Sequence, residues 1–156
     1  MCSVWHWISC SEHMKLTRRL TLLLTLLLML ACPSVHAETV LVVNARSPIE
    51  KITHEEIISV YMGRYRRLPS GVITQPIDQA EGPERTDFYR RLVNKSVPEI
   101  NAYWARLIFS GKSSPPDVAA SSKDLTKILT SNLNAIGYLD RKDVDGRMRI
   151  IFEFRD

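Results

Sequence analysis

The chain has 156 residues, of which 45% are hydrophobic and 24% charged, and it carries a formal net charge of +4 at pH 7. That size supports one hydrophobic core and no second one. Three cysteines and four histidines are enough by count for a thiolate nucleophile or a metal centre, so their positions along the chain decide whether either is available.

Met14-Lys15-Leu16-Thr17-Arg18-Arg19 runs into an apolar stretch, Leu20 to Ala31, and then into Val35-His36-Ala37. A cationic end, an apolar run of about a dozen residues and a small-residue A-x-A-like site together describe a secretory signal peptide. The run falls short of the roughly 20 apolar residues that a resident membrane-spanning helix needs. The expected organisation is a start-site extension over 1–13, a signal peptide over 14–37 and one exported, periplasmic domain over 38–156. The competing reading is a lipoprotein with lipid on Cys32, but the bulky Leu30 before Ala31 fits that poorly. Cleavage after Ala37 removes Cys2, Cys10, Cys32, His6, His13 and His36, and the mature domain keeps a single imidazole, His54. Loss of Lys15, Arg18, Arg19 and Glu12 reduces 21 basic and 17 acidic residues to 18 and 16. Such a balance marks no nucleic-acid partner. No metal and no cofactor is implied.

Thr39-Val40-Leu41-Val42-Val43 is a β-branched run without polar interruption, expected to be a strand covered on both faces. Thr53-x-x-Glu56 is a capping box with Ile52 and Ile57 placed as a hydrophobic staple, and Gly63 ends the helix it opens. The basic run Arg64-Tyr65-Arg66-Arg67 follows, a solvated face or a contact for a membrane surface or anionic partner. Val72 to Ile77 is a second extended run, weakened as a central strand by Pro76, and Asp78 to Gly82 reads as loop. Pro83-Glu84 opens a helix carrying Phe88, Leu92 and Val93. Ser96-x-x-Glu99 caps the next, with Ile100, Tyr103, Trp104, Leu107 and Ile108 on one stripe. Ser110 to Ser122 reads as a long surface loop, and Leu125, Ile128 and Leu129 mark a short helix. Ala135 to Leu139 is a buried strand. Met148, Ile150, Phe152 and Phe154 alternate with polar residues, as in a half-exposed edge strand. The class is α/β. His54 stands beside Glu55 and Glu56, but adjacent helical residues point apart, so no acid–base pair follows and no enzyme is expected.

Four segments resemble the phosphate-binding proteins of ABC transporters: Glu56 to Arg64, Gln79 to Phe88, Tyr103 to Gly111, and Asn134-Ala135-Ile136-Gly137-Tyr138. The resemblance implies one periplasmic-binding-protein-like lobe, a mixed sheet flanked by helices, where the family closes two lobes on a solute and feeds a membrane permease. A single lobe leaves its ligand half in water unless a second copy or another envelope protein covers it. The family's anion site carries an arginine, an acidic residue and a Ser-Gly-Thr run. Here the arginine position is Gln79, the acid is Glu81, and the run becomes Pro83-Glu84-Arg85. Pro83 removes a donor and Glu84 sets a negative charge in the first turn.

The expected ligand is inorganic phosphate or another small anion, held by Gln79, Gly82, Arg85 and Thr86 at a helix N-terminus. Asn44 and Ser47, after the first strand, form a second candidate rim, because ligands of open α/β sheets sit beyond the carboxyl ends of strands. The alternative is a non-transport interaction or sensory module derived from one lobe, using the Ser110–Ser122 loop, the basic run and the edge strand.

Overall fold

The computed structural model describes residues 38–154. The extension over 1–13, the leader over 14–37 and Cys32 lie outside the described residues. In chain order the elements are β1 (Thr39–Asn44), α1 (His54–Tyr61), β2 (Gln75–Gln79), α2 (Pro83–Val93), α3 (Val97–Phe109), β3 (Asp117–Ala119), α4 (Ser122–Ser131), β4 (Ala135–Asp140) and β5 (Met148–Glu153).

Every residue of β1 is buried, and its alternation divides two cores. Leu41 and Val43 join Ile57, Phe88, Leu92, Ile100 and Trp104 of α1, α2 and α3 on one face. Val40 and Val42 join Leu125 and Leu129 of α4 on the other. The five-stranded sheet has the order β3-β2-β4-β1-β5. β2 runs parallel to β3 and β4, and β1 runs antiparallel to β4 and β5. The domain is thus an α/β mixed sheet with helices on both faces.

Local chemistry sets the helix ends. Thr53 and Glu56 form the reciprocal capping box of α1, and Ser96 and Glu99 that of α3. α1 closes in a Schellman motif: the Gly63 N–H donates to Val60 O and the Arg64 N–H to Ser59 O. Gly63 takes φ 71°, and a Cβ there would stand 2.6 Å from both Trp104 Cη2 and Ser113 Oγ. Gly63→Ala is therefore expected to combine left-handed strain with overpacking. The expected loss is about 2–4 kcal/mol, read as a lower urea midpoint at unchanged slope.

Three features differ from expectation. β2 begins later than Val72 and takes in Asp78 and Gln79, both buried, although these read as loop. It also lies inside the sheet despite Pro76. The cost is small because only Gln75 and Pro76 pair with β4, so the missing N–H falls in a ladder two residues long. The Ser110–Ser122 stretch contains β3, whose backbone pairs Asp117, Val118 and Ala119 with Ile77, Asp78 and Gln79; three residues are too few to show a hydrophobic period. β5 is an edge strand as expected, but a register shift opposite Leu41 and Val42 inserts Ile151 between the paired Ile150 and Phe152. Met148 and Ile150 consequently pack with one core, and Ile151, Phe152 and Phe154 with the other. A bulge of this kind exchanges faces midway along the strand.

Candidate functional site

The chain leaves β2 into α2, which packs on one face of the sheet, and leaves the neighbouring β3 into α4, which packs on the other. Adjacent parallel strands whose connections part to opposite faces open a crevice at their carboxyl ends, the usual ligand position of open α/β sheets. The N-termini of α2 and α4 flank this crevice. At the α4 end Ser121 Oγ accepts from the Asp124 N–H, while the Ser122 and Lys123 N–H groups meet no acceptor among the described residues. The α2 end is open: Gly82 is its N-cap without a side chain, Pro83 carries no N–H, and the first intrahelical bond is Thr86 N–H to Gly82 O. Among the described residues, no acceptor meets the backbone N–H groups of Glu84 and Arg85, two of the orphan donors of a first turn.

Behind this opening lies a buried ionic cluster. Asp78, 3% exposed, accepts from Arg85 Nε at 3.0 Å, from the Tyr89 hydroxyl at 2.9 Å, from the Tyr138 hydroxyl at 2.5 Å and from the Gln79 N–H at 2.8 Å. Arg85 is itself 8% exposed. It donates through Nη2 to Asn101 Oδ1 at 3.1 Å and lies 5.5 Å from the centroid of the Tyr89 ring. Burial alone would lower the Arg85 pKa, but the Asp78 carboxylate reverses this and the net shift is upward. Burial, reinforced by the Asp78 charge, pushes the Tyr89 and Tyr138 hydroxyls far above their ordinary value. All three partners therefore stay in their donating forms around a carboxylate.

The six sequence-derived candidates fall into two groups. Gln79, Gly82, Arg85 and Thr86 come together at the carboxyl end of β2, but the side chains of Gln79, Arg85 and Thr86 have internal partners. Gln79 Nε2 donates to Tyr138 O at 2.8 Å and its Oε1 accepts from Ser122 Oγ at 3.1 Å. The Thr86 hydroxyl donates to Gly82 O at 2.9 Å. Gly82 has an extended backbone, φ 175°, so no left-handed geometry requires glycine there. Glu81 lies on the rim, accepting from Asn101 Nδ2 at 3.3 Å.

Asn44 and Ser47 do not share this rim. β1 is antiparallel to β4, and β4 is parallel to β2, so the carboxyl end of β1 lies at the other end of the sheet. There Asn44 Nδ2 donates to Leu129 O and Thr130 O at 3.0 and 2.9 Å, satisfying the last carbonyls of α4. Ser47 Oγ donates to Leu133 O at 2.7 Å. His54 is half-buried against Phe152 and Phe154, with centroids 6.0 and 6.3 Å away. The residues that sequence reading missed are Asp78, Asn101 and Ser122. One signal was available: Arg85, Phe88, Tyr89 and Leu92 share a helix face at spacing i, i+3, i+4, i+7. An arginine on such an apolar stripe needs a buried acid.

No protein-family model matches the chain, and no curated protein is similar to it in sequence. Solved structures do match in fold. An ABC-type phosphate transport receptor from Vibrio cholerae aligns over 73% of this chain with TM-score 0.57 and 16% identity. A phosphate ABC transporter substrate-binding protein with bound phosphate from Clostridium perfringens aligns over 73% with TM-score 0.55 and 17% identity. A possible phosphate binding protein from Planctomyces limnophilus aligns over 73% with TM-score 0.51 and 12% identity. The chain spans 45%, 44% and 40% of these proteins, less than half the length of each. The shared fold is that of a single periplasmic-binding-protein-like lobe.

Proposed function

We propose that the domain is an exported, non-catalytic solute-binding lobe that takes a small oxyanion, inorganic phosphate first among them, and serves an ABC-type membrane permease. The observation that carries this reading is the open first turn of α2. Its Glu84 and Arg85 N–H groups have no acceptor among the described residues, and they lie at the carboxyl end of β2 in a fold shared with phosphate receptors. Helix N-termini favour anions through these donors and the helix dipole. Arg85 adds a positive charge, its Nε and Nη2 engaged by Asp78 and Asn101, and Thr86 adds a hydroxyl if it turns from Gly82 O. Hydrogen bonds to a charged oxyanion contribute roughly 1.5–3 kcal/mol each, so three or four, less association costs, support micromolar binding. A second copy or an envelope protein would cover the exposed side of the ligand.

Calorimetric titration with phosphate, using sulfate as control, tests the reading. Glu84 stands in the first turn as a like charge, so Glu84→Gln is expected to tighten phosphate about two- to fivefold. Absence of heat up to millimolar phosphate in both proteins would overturn it. A specific observation then favours the alternative, an interaction or sensory module: Asp78 already neutralises Arg85, while Glu81 and Glu84 make the rim acidic.

A further inference from the structure

A second surface, independent of the oxyanion site, lies on α3 and the segment after α1. The sequence of α3, VPEINAYWARLIF, contains only Glu99, Asn101 and Arg106 as charged or amide residues, yet it buries only Ile100 and Trp104. It is apolar well beyond the stripe that its core contact requires. Ile108 is 56% exposed and Phe109 96%. They are held rather than frayed, because Gly111, at φ 65°, closes the helix with bonds from the Gly111 N–H to Ile108 O and the Lys112 N–H to Leu107 O, both 3.0 Å.

Four cations lie on α3 and on the segments that follow α1 and α3. Arg64 and Arg106 line one groove floored by Ile58, Met62, Val93 and Tyr103. Arg66 Nη2 reaches Ser114 Oγ at 3.4 Å in the segment that follows α3, and Lys112 lies in the same segment. All four are exposed, and among the described residues none is paired with a carboxylate. Lys95, on the same groove, is paired with Glu99 at 3.1 Å.

We propose that this face docks on an anionic lipid bilayer, with Phe109 and Ile108 entering the interfacial layer while Arg64, Arg66, Arg106 and Lys112 meet headgroup phosphates. An extended negative surface can engage all four spread cations at once, and an aromatic ring that the chain leaves bare suits shallow insertion. A second copy fits poorly, since four like charges would face their own images.

Hydroxyl-radical footprinting of the full chain tests the assignment at side-chain level. It is run with phosphatidylcholine vesicles, with vesicles containing one-third phosphatidylglycerol, and with free glycerol 3-phosphate. The anionic vesicles are expected to reduce oxidation of Phe109 and Ile108 severalfold, whereas the other two leave it unchanged. Arg64→Gln and Arg106→Gln should each weaken vesicle binding about fivefold, and Phe109→Ser should remove the protection of Ile108. Vesicle binding without protection at these positions overturns the proposal, as does equal protection by free glycerol 3-phosphate or by neutral vesicles.

Discussion

Asp78→Asn is expected to destabilise the domain by about 3–5 kcal/mol, the range for breaking a buried pair from one side. The substitution is nearly isosteric, so the loss is electrostatic. Arg85 remains 8% exposed with its guanidinium beside a neutral amide, and the Tyr89 and Tyr138 hydroxyls lose a charged acceptor. Arg85→Gln leaves the opposite charge stranded and should cost a similar amount. The double variant removes both charges, and a buried pair replaced as a unit is often close to neutral. It should therefore be more stable than the sum of the single losses predicts, with a coupling of at least about 1 kcal/mol. Urea denaturation of the three variants reads this directly. Additive losses would mean that the carboxylate and the guanidinium act independently.

Phe88→Ala should produce a loss of the same order, about 3–5 kcal/mol for a large buried aromatic. The Phe88 ring stacks on Tyr138 at 3.9 Å between centroids and 5° between planes. It also meets Tyr61 at 4.8 Å and Tyr89 at 5.2 Å edge to face. Two of those rings deliver hydroxyls to Asp78, so the cavity would loosen the same cluster from its apolar side. Thermal unfolding should show a lowered midpoint together with loss of near-ultraviolet dichroism from the tyrosines in the native baseline. A midpoint unchanged within a few degrees would show that the aromatic packing contributes little.

What could be read from sequence was local. The β-branched run at Thr39 to Val43, the Thr53 and Ser96 capping boxes and the Gly63 stop each depend on neighbours within a few residues, and each stands in the structure where its chemistry places it. What could not be read depends on partners far along the chain. The direction of β1 is set by its pairing with β4, about a hundred positions away, and that direction separates Asn44 and Ser47 from the α2 N-terminus. The face exchange at Ile151 exists only opposite Leu41 and Val42. Asp78 read as loop because its acidity suits a turn, and only Arg85, Tyr89 and Tyr138 make it a core residue. The candidate anion site shows the same division. Its helix start was legible in Pro83-Glu84, whereas the partners that satisfy Gln79 and Arg85 come from β2, β4, α3 and the start of α4.

The most direct measurement follows the backbone amides of Gly82, Glu84, Arg85 and Thr86 by nitrogen-15 correlated NMR while phosphate is added. Oxyanion binding at the first turn of α2 predicts saturable shifts of the Glu84 and Arg85 amides at micromolar phosphate, larger than those at the α4 N-terminus. Unmoved amides at these two positions, whatever changes elsewhere in the spectrum, would contradict a receptor lobe with its site at this helix.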